Sequence, residues 1–250
     1  MMLLPPFRLE QRDKIDSTND EARRLSAAGF GHGTVVSAIE QSAGRGRRGR
    51  AWMSPPGNLH CSILLDRGPE PAAAPQLTFV AAVSLRDALA DLALSVDFRV
   101  KWPNDILCAG AKIAGMLLEQ VGEFIILGVG VNVVAHPEQG LYPATSLAKA
   151  RSGADSFDVL AAFCERLGHW YDIWRAEGFA PIRRAWLEVA VGLGQPVTAR
   201  LADETVLQGR FAGLAPDGAL EMADENNHIR RILAGDVFFT NDGGHHAAGD

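Results

Sequence analysis

The stretch KWPNDILCAGAKIAGMLLEQVGEFIILGVGVN, Lys101–Asn132, decides the fold. Pro103 has no backbone donor and a fixed φ, so the strand character of DFRVKW, Asp97–Trp102, stops there and a turn follows. Beyond it, ILCAG, KIAGMLLEQ and FIILGVGVNV are β-rich runs parted only by Ala109-Gly110 and Val121-Gly122. Connections that short predict adjacent antiparallel hairpins, largely buried. Asn104 and Asp105 then stand at a sheet edge with their side chains directed into a cleft. Lys112, seven residues after Asp105 and across a hairpin, adds an ammonium able to face the same ligand. Asp105 as a turn-former and Lys112 as a solvated edge charge are the plainer readings. Gly128 and Gly130 are alternate residues of one run and share a face, which predicts a bare wall beside the hairpin where a flat ligand could lie.

Upstream, Ser17 and Thr18 precede Asp20 and Glu21 at capping-box spacing, ahead of a short helix that Gly29 stops. TVVSAIEQ, Thr34–Gln41, reads as a strand running straight into SAGRGRRGRAW, Ser42–Trp52, and NLHCSILL is the next strand. The segment between them is thus a loop at a strand end. Its glycines at 44, 46 and 49 let the backbone approach a ligand, and Arg45, Arg47, Arg48 and Arg50 offer planar forks for carboxylate or phosphate. There is no G-x-x-x-x-G-K-[ST], and no G-x-G-x-x-G that opens a helix, so neither a P-loop nor a dinucleotide turn fits.

Composition narrows what that cluster answers. The chain has 24 Lys and Arg against 30 Asp and Glu, a net charge of −6, where a general nucleic-acid or anionic-membrane binder leans basic. The cluster therefore reads as a response to a small local anion. Cys61, Cys108 and Cys164 form no C-x-x-C and are expected as reduced, packed thiols. Two prolines interrupt MMLLPPFRLEQRD where a signal peptide needs an apolar run, and FIILGVGVNVVA is shorter than the roughly 20 residues of a membrane span. The expected location is the cytoplasm.

The rest of the chain supplies scaffold. Leu77, Val80, Ala81, Leu85, Ala88, Leu89 and Leu92 recur at helical spacing within 76–94. Phe157, Leu160, Ala161, Cys164, Leu167, Tyr171 and Trp174 define a second long helix, and Pro181 suits the start of another. From Gly194 to about Phe239, short strands separated by ADE, PDG and DENN suggest a small β-barrel. NDGGHHAAGD reads as a frayed tail, with too little around His245 and His246 for a metal site.

STND at Ser17, GRGRRGRAW at Gly44, KWPND at Lys101, KIAG at Lys112 and GVGVN at Gly128 resemble, in order and spacing, the biotin protein ligases. The resemblance runs from about residue 14 to the end. It implies an α+β fold: a mixed, largely antiparallel sheet with flanking helices, akin to class II aminoacyl-tRNA synthetases, over 1–190. A small SH3-like barrel over 191–240 and a tail over 241–250 complete the expected organisation. It also implies MgATP-dependent formation of biotinyl-5′-AMP and transfer to a lysine of a biotin carboxyl carrier protein or domain, with ATP and Mg2+ required and no standing metal ligands assigned.

On the matching positions, Ser17, Thr18, Asn19 and Gln41 would bind the biotin head, with Gly115, Gly128 and Gly130 walling its ring. Gly44, Arg45 and Arg47 would close over the adenylate with Trp52 in support, and Lys112 would meet the carboxylate and α-phosphate. Asn132 would lie near the phosphates and their Mg2+, and Asp105 is the candidate to help deprotonate the acceptor lysine. Only 16 residues precede Ser17, too few for a helix-turn-helix, so the implied enzyme lacks a repressor function and binds no DNA. A homodimer is compatible with exposed sheet edges. The competing readings are a lipoate or octanoate ligase or transferase, a non-catalytic biotin sensor, and RNA binding through GRGRRGR.

Overall fold

The computed structural model describes residues 2–68, 70–139 and 143–239. The strands are β1 (Arg8–Ile15), β2 (Thr34–Gln41), β3 (Leu59–Asp66), β4 (Phe98–Lys101), β5 (Asp105–Cys108), β6 (Ala111–Val121) and β7 (Phe124–Val131), and they form one sheet in the order β1-β2-β3-β7-β6-β5-β4. The predicted hairpins are present as antiparallel neighbours, and β1 runs parallel to β2. β1 had no readable signal. RLEQRDKI is an edge strand with both faces partly wet, so it shows no apolar alternation.

The two faces of this sheet differ, and the two-residue period of its strands says how. Cys61, Ile63 and Leu65 of β3, with Leu127, Val129 and Val131 of β7, point into the main core under α2 (Leu77–Leu92) and α3 (Ser156–Glu177). The residues between them face α1 (Thr18–Ala27). There Leu64 and Ile126 pack with Ala22 and Val36 in a small dry cluster. One step along the same face come Ser62 and Gly128, paired in register, and one further step His60 and Gly130. Within five residues the face thus passes from apolar to polar on β3 and from apolar to side-chain-free on β7, and the cleft begins where the dry cluster ends.

α4 (Phe179–Glu188) leads into a five-stranded antiparallel sheet of β8 (Pro196–Arg200), β9 (Val206–Leu214), β10 (Leu220–Ala223), β11 (Ile229–Ile232) and β12 (Asp236–Phe239), ordered β11-β10-β9-β8-β12. It shares the main core: Trp186 is fully buried, edge-on to Phe79 of α2 at 5.5 Å and to Phe211 of β9 at 6.4 Å. Trp102 Nε1 donates to Gly218 O at 3.1 Å, tying the turn after β4 to this sheet. The contact brings β12 to the mouth of the cleft. The predicted tail and His245–His246 lie outside the described residues. The three cysteines are buried and free, and burial pushes the Cys61 thiol up to about 12.

Candidate active site

The floor of the cleft is a chain of neutral hydrogen bonds. The Ser62 hydroxyl donates to Asn19 Oδ1 at 2.6 Å and lies 2.7 Å from Thr18 Oγ1, and Thr18 donates through its amide (2.7 Å) and hydroxyl (3.1 Å) to Gln41 Oε1. Gln41 Nε2 donates onward to Ser54 Oγ at 2.9 Å. Ser17 stands at the N-cap of α1, but its side chain caps nothing, so the predicted capping box does not form. The box is used instead at α3, between Asp155 and Asp158. Ser17 is buried against the cleft, where its hydroxyl can serve a ligand.

The glycine wall is real but not bare. A Cβ at Gly128 would stand 2.3 Å from Asn19 Oδ1, and one at Gly130 would stand 2.4 Å from Cε2 of Trp52. Gly115, across the β6–β7 register from Gly130, would meet Trp52 at 3.3 Å and Lys112 at 3.2 Å. These glycines therefore make room for an indole and an amide rather than leaving an empty shelf, which corrects the expectation of an open face. Trp52 Nε1 is buried there without a hydrogen-bond partner among the described residues.

The cations come from three directions. Lys112 Nζ lies 2.7 Å from Asp105 Oδ1 and 5.7 Å over the Trp52 ring. Asp105 Oδ1 is buried, so this ion pair is largely shielded from solvent. Lys112 is anchored through its backbone, its N–H donating to Pro143 O at 2.8 Å and its C=O accepting from Thr145 N at 2.9 Å. Asn132, buried beside it, donates through Nδ2 to Thr145 O at 3.0 Å. Lys101, also buried, lies 5.8 Å over the Phe239 ring of β12.

The arginine loop folds on itself, with Trp52 N donating to Gly44 O at 2.9 Å and Gly46 N to Arg50 O at 2.7 Å. Gly44 is set by crowding, because a Cβ there would be 2.6 Å from Ser54 Oγ. The turn itself is carried by Arg48 and Gly49, with φ of +56° and +71°. The four arginines part company. Arg45 grips both oxygens of Asp20 on α1 at 2.5 and 2.6 Å, which holds the Asp20 carboxyl below its usual range and raises the guanidinium. It is therefore engaged by protein on the α1 side while it also lines the cleft. Arg48 and Arg50 both bind Asp236 of β12. Among the described residues Arg47 has only neutral acceptors, Asn104 Oδ1 at 3.3 Å and Gly235 O at 3.4 Å, and burial pulls its guanidinium below the ordinary value.

All the sequence-predicted site residues except Gly44 line one cleft of about 260 Å³, and Gly44 supports it from behind. Asn104, expected from sequence to face a cleft, lines it as well, as do Lys101 and Asp236, to which the sequence reading gave no role. The first two lie inside KWPND and were legible there; Asp236 carried no signal, its partners being some 188 residues away. Among the described residues, no three His, Cys, Asp or Glu side chains gather as a metal cluster, and no helix is long and apolar enough to cross a membrane.

The profile of the biotin/lipoate A/B protein ligase family matches residues 12–134, and that of the biotin protein ligase C-terminal domain matches residues 192–240. The chain is 38% identical over 239 residues to a biotin–[acetyl-CoA-carboxylase] ligase of Paracoccus denitrificans, covering 90% of this chain and 98% of that protein. It is 33% identical to a bifunctional ligase/repressor of Bacillus subtilis over 90% of this chain and 72% of that protein. Its fold superposes on the Aquifex aeolicus biotin protein ligase in complex with biotin and ATP with a TM-score of 0.80, at 28% identity, covering 93% of this chain and 98% of that one.

Proposed function

The chain belongs to the biotin protein ligase family, and from that membership we propose that it activates biotin with MgATP to biotinyl-5′-AMP and transfers it to a lysine of a biotin carboxyl carrier protein or domain. The observation that carries this reading is the division of the cleft: neutral donors and acceptors at one end, Lys112 and Arg47 at the other. A cyclic urea is neutral and makes several hydrogen bonds, which Thr18, Asn19 and Gln41 can meet together with Ser17. A carboxylate and a phosphate are anions whose approach to each other needs cations.

In the first step a biotin carboxylate oxygen attacks the α-phosphorus and pyrophosphate leaves. Lys112 neutralises charge on the two reacting groups, and Arg47 holds the phosphate. Mg2+ enters with ATP as part of the substrate, and the amide oxygen of Asn132 is a hard donor suited to it. In the second step the acceptor amine attacks the anhydride carbonyl, AMP leaves and an amide forms. The amine has an ordinary pKa near 10.4 and must shed a proton, for which Asp105 is the nearest carboxylate to Lys112. The acyl-adenylate hydrolyses readily, so the loop and Trp52 also keep water out. The catalytic unit occupies 1–190 and the C-terminal sheet 191–240 in this reading.

The deciding experiment offers biotin, lipoate and octanoate separately with MgATP and follows pyrophosphate release. Turnover with biotin alone is expected. Turnover with lipoate or octanoate would transfer the chain to that branch of the superfamily, and biotin binding without turnover would make it a sensor.

A further inference from the structure

The carboxylate of Asp236 belongs to the C-terminal sheet, yet it is spent on the glycine loop of the other sheet. It sits at the start of β12, with its side chain 13% exposed, and takes salt bridges from both Arg48, at 3.0 Å, and Arg50. The preceding residue, Gly235, offers its carbonyl to both terminal nitrogens of Arg47 at 3.4 and 3.5 Å. Three of the loop's four arginines thus converge on two consecutive residues where a distant strand begins. The fourth, Arg45, is fixed to Asp20 on the opposite side.

The pairing leaves an uneven distribution of charge. Arg45, Arg48 and Arg50 are ion-paired, whereas Arg47 makes no ion pair among the described residues and lines the cleft. Arg47 is therefore the loop's cation available for an incoming anion, and its aim depends on its neighbours. Three arginines within four residues repel one another, and a backbone with glycines at 46 and 49 resists little. A carboxylate between Arg48 and Arg50 cancels that repulsion and pins both sides of the turn that carries Arg47.

We propose that Asp236 is a positioning residue for adenylate formation: by binding Arg48 and Arg50 it holds the glycine loop so that the Arg47 guanidinium faces the phosphate. The assignment rests on the ligase reading above and extends it, because it makes the C-terminal sheet part of the nucleotide site without touching nucleotide. The substrate group it serves is a phosphate, not the biotin ring, whose floor is built from α1, β2 and β3.

The test uses the full chain with Asp236→Ala, the near-isosteric Asp236→Asn, Asp236→Glu, Arg47→Ala, and the double variant Asp236→Ala/Arg47→Ala. Without any ligand, amide exchange across 44–50 is expected to quicken on the order of tenfold in Asp236→Ala and Asp236→Asn while the sheet amides are unchanged. Unchanged exchange in a folded variant overturns the latch, whatever the chain's activity turns out to be. In pyrophosphate release, KM for MgATP is expected to rise on the order of tenfold, with KM for biotin within about twofold, and Asp236→Glu should recover most of the loss. Because Asp236 acts through Arg47, its removal should cost little more once Arg47 is gone. Additive losses, or a lower KM for MgATP in Asp236→Ala, overturn the positioning role; the second would make Asp236 a competitor of the phosphate. If the unaltered chain releases no pyrophosphate with biotin, the ligase reading fails instead, and the exchange result still decides the latch.

Discussion

The wall of the cleft and the loop that covers it are both rich in glycine, and they use it for opposite reasons. Gly115, Gly128 and Gly130 are in ordinary extended backbone, held on both sides by ladder hydrogen bonds, and what they provide is space for Asn19 and Trp52. Gly49, with nothing within 4 Å of its missing Cβ, provides a left-handed turn. The wall is fixed by backbone pairing; the loop is fixed by carboxylates on α1 and β12. Damage to the wall should therefore be steric and local to the biotin end, whereas damage to the loop should be graded and felt at the phosphate end.

The largest effect is expected where the two regions meet. Lys112→Ala removes the cation between Asp105 and the Trp52 face, a charge that on the proposed ligase reading acts mainly in the transition state. The kcat for pyrophosphate release should fall on the order of 10²-fold or more with the fold intact. Near-normal release would take Lys112 out of the chemistry.

Arg47→Gly probes the loop alone. It should still form biotinyl-AMP but lose it on the order of 10 to 10² times faster, the worth of a charge-assisted contact of roughly 1.5–3 kcal/mol. Bystander proteins mixed with the variant, ATP and biotin should then be labelled on exposed lysines. Equal labelling by variant and parent, at matched pyrophosphate release, would show that Arg47 does not retain the intermediate.

A matched pair of alanines contrasts the glycines directly. Gly128→Ala drives a methyl to 2.3 Å from a buried Asn19 that is hydrogen-bonded to Ser62 and Glu119, so about 1–3 kcal/mol of stability should be lost along with biotin affinity. Gly49→Ala meets no atom and should cost only the left-handed penalty of about 1–2 kcal/mol, with biotin affinity unchanged. Urea denaturation and calorimetric titration separate the two. Equal loss of biotin affinity in both would erase the distinction between wall and loop.

The smallest effect is a pH slope on the wall side. Burial lowers the His60 pKa, so the unfolded chain takes up the proton first as pH falls. Stability should be complete above about pH 6.5 and decline below it toward the folded value, by at most about 1.4 kcal/mol per pH unit. His60→Gln should flatten that slope in denaturation midpoints; an unaltered slope would assign it elsewhere, with the similarly lowered His32 the next to test.

Much of this is legible in the sequence alone. The hairpins of 101–132 follow from Pro103 and two Gly-containing connections, and the shared face of Gly128 and Gly130 follows from the two-residue period. Asp105 and Lys112 meet at 2.7 Å as a hairpin demands. β1 was illegible because a polar edge strand has no alternation to read, and the unused cap at Ser17 shows that a local pattern yields when the side chain is turned to a cleft. The arginines were the harder case. Four identical guanidinia in six residues look alike in sequence, and nothing local distinguishes the one without an ion pair among the described residues from the three that have one.

The sequence by itself determined the strands other than β1, the hairpin connections, the alternate glycines of β7 and most of the residues that line the cleft, because these depend on short-range periodicity and on backbone limits at Pro and Gly. Only the tertiary structure decided what those residues touch. Asp20 lies 25 residues from Arg45, and Asp236 lies 188 residues from Arg48, so their pairing depends on how α1 and the C-terminal sheet pack around the shared core through Trp186 and Trp102. Charge is written in the chain one residue at a time, whereas an ion pair exists only when folding has closed the distance between two of them.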